Sequence, residues 1–467
     1  IKDLPPPIEV PVHYEAPGFD GSRLSKVPAT GIHPRVIISP SDIQRFKQMH
    51  AMGDKAPRIF RLQMEQMRRD REWQIPSQHN YSGSPWGEDS KIAGWALYAL
   101  ITDDQQLGRQ AAEATVRHAL YVEPWADIVN SDPKTAPIKD VAYDFVRMGL
   151  FFGSVDYKTA YYQGGRQRVE TLYHEHGVTL GANSPAPGCL TLGWEYDYAY
   201  PFMTDQERSI VRRVIAKITY GKFTTGMALP GQMFINNHMS GSANQICLAL
   251  AIEGEEGYDP RIAKMAEWSL TNKLSYDLSS DGITYENTKG FIPMLPMLAI
   301  ARRQGADHPR NLLKHSHLLA RANSNVQHAR KLYYRYFADS RRRPDSQPLD
   351  QIITGLDEER YWRASGGSGS GGHLEFWSTL KHFYPSDELV DFVWNCKLPS
   401  SLSYYEGKPD DNWNGKIHHA WFQLKAINLL TAAHMTDYNR LDTLEQFEGI
   451  EKFWFDSERC IMSARND

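Results

Sequence analysis

The stretch "DSKIAGWALYALITDDQQLGRQAAEATVRHALYV", residues 89–122, decides the fold class. Its first half carries apolar residues at helical spacing as far as Asp103 and Asp104, and its second half resumes the same spacing at once. Two amphipathic helices joined by so short a break form a helical hairpin. "DVAYDFVRMGLFFGSVDYKTAYY" (140–162) repeats the scheme.

Working outward, further helices are expected along most of the chain. "SPSDIQRFKQMH" offers Ser39 or Ser41 as an N-cap. In "MTDQERSIVRRVIAKITY", Thr204 and Glu207 make a capping box and the helix runs to about Lys217. An apolar helix within 235–254 stops at Gly254, and "DPRIAKMAEWSLTNKLSYDL" opens another at Asp259 and Pro260. Later helices cover roughly 292–303, 309–336, 374–382, 386–396 and 416–436. Paired helices without a strict sequence repeat stack into a toroid or an open solenoid. Strand alternation enters only in "EKFWFDSERCIMSARND" (451–467), and it stops in mid-pattern, so a continuation beyond Asp467 is expected.

Composition narrows the function. The 467 residues carry 41% hydrophobic and 23% charged side chains, which fits a folded chain with a sizeable core. A net charge of -4 gives no global basic excess for nucleic acid. No apolar run approaches the ~20 residues that span a membrane. Aromatic residues reach 12%, with 24 Tyr and 12 Trp, which serve equally a large core or the stacking of sugar rings. The chain opens on Ile1 rather than Met, so a leader or tag is read as already removed. Cys189, Cys247, Cys396 and Cys460 are far apart and form no zinc-type pair; Cys247 reads as a buried thiol. Nothing in the sequence sets an oligomeric state.

Three stretches carry candidate chemistry. In "FINNHMSG" an asparagine before a helix is ordinarily a cap, which explains one of Asn236 and Asn237 but not the run Asn236-Asn237-His238. On a helix starting near Asn237, His238, Ser242 and Gln245 share one polar face, while Ala243, Ile246, Cys247, Leu250 and Ala251 cover the other. A polar, uncrowded face on a core-like helix suits the wall of a cleft. "SSDGITYENTKGF" (279–291) places Asp281, Tyr285, Glu286 and Lys289 in one loop, more than a turn requires. "LGWEYDYAYPFM" (192–203) reads foremost as core packing, with Trp194 as a candidate sugar-stacking residue and Glu195 and Asp197 as carboxylates. Among cations, Lys289 sits beside the candidate loop, and Arg341, Arg342 and Arg343 form a run whose guanidinium forks suit carboxylate or sulfate.

Four stretches, "HPRVIISPSDIQRFK", "LGWEYDYAYPFMTDQER", "NNH" opening a helix and "DGITYENTKGF" one helix pair later, resemble the heparinase II/III-like polysaccharide lyases. That group includes alginate lyases and is similar to dermatan sulfate epimerase. The resemblance covers about residues 33–300 and rests on the order of the motifs. It implies a mainly α fold, an incomplete (α/α) toroid followed by β-sandwich sheets. The expected division is an extended N-terminal arm over 1–32, a toroid over 33–445 and the start of a β portion over 446–467.

The resemblance also implies chemistry. Such enzymes, secreted or periplasmic in bacteria, cleave uronic-acid polysaccharides by β-elimination. The proton on C5 is a poor acid beside a charged carboxylate, and donors that neutralise the carboxylate also stabilise the enolate-like intermediate. Asn237 is the implied neutraliser, backed by Asn236, with His238 assisting. Tyr285 is the candidate for proton transfer, and an alternative alignment puts Glu286 on the family's glutamate. The second histidine, in the family supplied from the β part, falls to His373, then to His418 or His419. Gln245, Glu286, Lys289, Trp194 and Arg341 are the expected substrate contacts. No cofactor is required, and no pattern indicates a structural divalent metal. The partner is an anionic polysaccharide or oligosaccharide. Two other readings stay open. One is an (α/α)-toroid glycoside hydrolase using two of Glu286, Asp281, Glu195 and Asp197, set ~6.5–9.5 Å apart if inverting or ~5–5.5 Å if retaining. The other is a glycan-binding protein without catalysis.

Overall fold

The structure is a computed structural model that describes residues 18–70, 90–131, 191–220, 246–260, 263–264, 266–267, 294–314, 374–387, 390, 426, 429–433, 453–456 and 461–464. These residues are mainly helical. The long helices are α1 (Pro40–Ala51), α2 (Arg58–Asp70), α3 (Ser90–Thr102), α4 (Gln105–Ser131), α5 (Leu192–Ala199), α6 (Asp205–Tyr220), α7 (Met294–Gln304) and α8 (Leu374–Phe383). A helical run over 246–251 precedes α7.

Local chemistry sets the helix ends. Ser39, not Ser41, caps α1; the Asp42 carboxylate accepts the Ser39 N–H and hydroxyl, each at 2.8 Å, and Pro40 occupies the first turn. At α6 the expected capping box is present. Glu207 accepts the Thr204 N–H at 2.8 Å, and the Glu207 N–H donates to the Thr204 hydroxyl at 3.3 Å. Between α3 and α4 the chain turns in one step: Asp103 is left-handed at φ 57 and Asp104 accepts the Leu107 N–H at 2.9 Å. α4 continues through Pro124 to Ser131, further than the sequence pattern indicated. Proline removes one hydrogen bond from a helix, and packing on both sides of it maintains this one.

The hairpin read from residues 89–122 is therefore real, and it forms the centre of the described core. α3 packs against α1, α2, α4 and α5, while α4 also packs along α6. The interior is filled by residues such as Phe46, Phe60, Trp95, Leu97, Val122, Val214 and Ile218. Along the α4–α6 seam Arg109 pairs with Glu207, and Arg213 and Lys217 both reach Glu123.

The segment over 33–38 runs into this core as irregular chain with bends at 33–34 and 36–37, and Val36, Ile37 and Ile38 are fully buried. It is held by Arg302 of α7, whose guanidinium donates to the carbonyls of Ser25, Lys26, Arg35 and Ile38. Burial lowers the Arg302 pKa to about 10, with Arg303 next door adding to the effect. Near the end of the chain, β1 (Phe453–Asp456) and β2 (Ile461–Ala464) pair antiparallel, with Phe453 opposite Ala464 and Asp456 opposite Ile461. The strand pattern read there is thus a two-stranded ladder. The expected helix over 140–162 and most of those over 309–336, 386–396 and 416–436 lie outside the described residues.

Candidate functional site

A buried group of ionisable side chains is built on α5. All eight of its residues are buried, aromatic and acidic ones included. Residues two apart on a helix point about 200° apart, so Glu195 and Asp197 leave α5 in nearly opposite directions. Each finds a histidine from a distant part of the chain.

Asp197 turns toward the N-terminal segment. Its Oδ1 lies 2.8 Å from Nδ1 of His33 and accepts the Arg35 N–H at 2.8 Å, while Oδ2 accepts the Val36 N–H at 3.1 Å. Across the same imidazole, Nε2 of His33 is 3.0 Å from Oε1 of Glu255, in the turn after the 246–251 helical run. The hydroxyl of Tyr196 donates to the other Glu255 oxygen at 2.6 Å, and Arg212 of α6 stands 3.5 Å from it. Tyr200 stacks on the His33 ring, centroids 4.0 Å apart, and Tyr196 meets it edge-on at 5.4 Å. The His33 and Asp197 side chains are fully buried and Glu255 nearly so.

The electrostatics follow from that geometry. Burial opposes charge on His33, but hydrogen bonds to Asp197 and Glu255 outweigh it and raise its pKa. Burial opposes charge on Glu255 too, yet His33 and Tyr196 hold its carboxyl below the ordinary range. The Tyr196 phenol is pushed far up, first by burial and then by the Glu255 charge beside it. These shifts describe a locked ion pair with a neutral tyrosine, not a tyrosine prepared to give up its proton.

Glu195 faces the other way. Both of its oxygens lie 2.9–3.0 Å from Nδ1 of His118 on α4, and the Thr191 hydroxyl donates to it at 2.8 Å. Glu195 and Asp197 are therefore occupied inside the core, and neither presents a free carboxylate to a cleft.

Of the residues singled out in the sequence, Trp194 lies on α5 at 1% exposure, its ring centroid 6.3 Å from that of Tyr198. Asn236, Asn237, His238, Gln245, Asp281, Tyr285, Glu286, Lys289, Arg341, His373, His418 and His419 lie outside the described residues. Cys247 is the buried free thiol the sequence indicated. His33, His118, Arg212 and Glu255 were not singled out individually; His33 and Glu255 are 222 residues apart, and no local pattern marks such a pairing.

Among the described residues, no group of three His, Cys, Asp or Glu is arranged to hold a metal ion, and no helix is long and apolar enough to cross a membrane. A shallow groove of about 210 Å³, lined by His50, Phe60, Arg61, Met64, Arg68 and Tyr98 among others, shares no residue with the α5 cluster. Comparison with known proteins finds no match: no family model, no curated protein and no solved structure matches the chain.

Proposed function

We propose that this protein is a polysaccharide lyase that cleaves a uronic-acid-containing anionic polysaccharide by β-elimination, acting outside the cytoplasm. One observation carries most weight. Two of the stretches on which the lyase resemblance rests lie far apart in sequence yet meet in one contact network. His33 of "HPRVII" touches Asp197 of "LGWEYDYAYPFM", and it also touches Glu255 in the turn after the 246–251 helical run. Segments that share a core have reason to occur together in a fixed order. The helical hairpin of α3 and α4 and the mainly helical character support an incomplete (α/α) toroid, with the β1–β2 pair as the start of its β portion.

In this reading the site is built on the "NNH" stretch, which precedes the 246–251 run in sequence. The Asn237 amide, backed by Asn236, neutralises the substrate carboxylate through hydrogen bonds that strengthen as negative charge develops. His238 and Tyr285, with His373 as the second histidine, move the protons. The C5–H bond breaks, its electron pair forms the C4–C5 double bond, and the C4–O bond breaks as the leaving oxygen takes up a proton. Lys289 and Arg341 balance the charge of the polymer. Glu195 and Asp197 do not supply a hydrolase pair, because each is buried against its own histidine.

The test is ultraviolet absorbance and reducing-end release during incubation with alginate, ulvan and glycosaminoglycan. The unsaturated product of elimination absorbs because its double bond is conjugated to the carboxylate. A rise with one polymer establishes the lyase and names its substrate. Reducing ends without absorbance move the reading to a hydrolase around Glu286. Binding without either product identifies a glycan-binding protein.

A further inference from the structure

We infer that His33 is a proton-dependent clamp: its doubly protonated ring bridges Glu255, in the turn over 252–258, to Asp197 of α5, and loss of one proton gives up the bond to Glu255 while Asp197 stays bound. The inference is independent of the proposed activity and concerns what holds the described core together.

The geometry favours it. Both ring nitrogens of His33 lie within 3.0 Å of a carboxylate oxygen, Nδ1 from Asp197 and Nε2 from Glu255. A neutral imidazole has one N–H and one lone pair, so it can satisfy only one of these carboxylates; the other would face a lone pair. The charged ring satisfies both.

The groups around the ring decide which bond is lost. From α5 come Asp197 and Tyr196, and from the following turn Tyr200, stacked on the ring with the Arg208 guanidinium 4.3 Å from its centroid. From the segment itself, the N–H groups of Arg35 and Val36 both point at Asp197. From α6, Arg212 reaches Glu255 and the exposed Glu256. Asp197 is sealed from water and held by backbone, so it keeps the remaining N–H. Glu255 has Tyr196 and the partly exposed Arg212 to retain its charge, so its bond to the ring is the one given up. The segment itself remains in place, because Arg302 and the buried Val36, Ile37 and Ile38 hold it independently.

The sign is definite. A histidine whose folded pKa is raised contributes its full stability below its unfolded value of about 6.5, and that contribution disappears as pH rises through the folded value. A rise in pH through the folded value therefore loosens the turn that ends the 246–251 helical run by one bond, while Tyr196 on Glu255 and Arg35 and Arg303 on Glu253 keep it in place.

The experiment is a pH titration of the full chain carrying ¹⁵N-histidine, together with amide hydrogen exchange over 252–258 corrected for intrinsic rate. One of the 17 histidines should remain doubly protonated above the ordinary range, and exchange in the turn should accelerate through that same transition. Glu255→Gln should move the transition down by about one pH unit, roughly tenfold in proton affinity, and leave the turn exchanging fast throughout. His33→Gln assigns the resonance; if that variant fails to fold, the displaced transition in Glu255→Gln assigns it. The clamp is overturned if every histidine titrates normally, or if Glu255→Gln leaves the raised transition where it was.

Discussion

Arg109 on α4 and Glu207 on α6, 98 residues apart, meet through two short charged hydrogen bonds of 2.7 and 2.5 Å. The same carboxylate closes the capping box of α6, so one side chain both starts a helix and fixes it to its neighbour. The Arg109 guanidinium, helped by the Thr204 donors, holds the Glu207 carboxyl at about 2. A depressed carboxylate stabilises above its unfolded value, and that contribution is lost as pH falls through the folded one. Glu207→Gln should flatten the acid limb of the melting profile between the ordinary carboxylate range and about 2. Glu207→Ala should cost about 1–2 kcal/mol near neutrality by chemical denaturation. An unchanged acid limb in the glutamine variant would count against this linkage.

Gly193 is a close-approach position. A Cβ there would lie 2.6 Å from the Cα of Leu248 and 3.1 Å from its Cδ1. The nearer obstacle is backbone and cannot rotate away. Gly193→Ala should therefore destabilise by about 1–3 kcal/mol or more, read as a lower denaturation midpoint with unchanged slope.

Asp197→Asn separates a structural carboxylate from a catalytic one. The variant keeps the shape but removes the charge that faces His33 and two backbone N–H groups. Breaking a buried pair of this kind costs about 3–5 kcal/mol. A lower melting temperature is expected at neutral pH. A normally stable but inactive Asp197→Asn would instead revive the hydrolase reading.

Cys247 should be chemically silent in the native protein. Its thiol is buried, and burial drives its pKa far above that of a free cysteine, with a small opposing effect from Arg303. Alkylation followed by mass spectrometry should label it only after denaturant is added, since the thiolate is the reactive form. Labelling at native conditions would mean that the helical run over 246–251 opens readily.

The proposed chemistry makes its own demand on residues that precede that stretch in sequence. Asn237→Ala and His238→Ala should each lower β-elimination by at least about 100-fold, the scale of losing one transition-state donor or one acid–base group, with melting curves unchanged. Wild-type-like rates in both would end the assignment of the site to the "NNH" stretch.

The sequence was most legible where the causes are local. The α3–α4 hairpin follows from periodicity and the Asp103–Asp104 break, and the start of α6 follows from Thr204 and Glu207 three residues apart. The end of the run before Gly254 follows from a glycine at φ 77. The extent of α4 was not legible, because Pro124 is a stop signal that tertiary packing overrides. The partners of Glu195 and Asp197 were not legible either. Two acidic residues in an aromatic segment look alike as carboxylates for a cleft or for a core. Only the arrival of His118 and His33 from 77 and 164 residues away distinguishes the two.

Arg302 gathers four carbonyls from a segment that precedes it by 264 to 277 residues. On a ribosome adding roughly 5–20 residues per second, that segment emerges on the order of 10–60 s before the side chain that receives it. Until then Val36, Ile37 and Ile38 have no complete enclosure, and the nascent chain carries a sticky apolar segment. The late guanidinium acts as a latch, and the interval before it closes is when this protein most needs a holding chaperone.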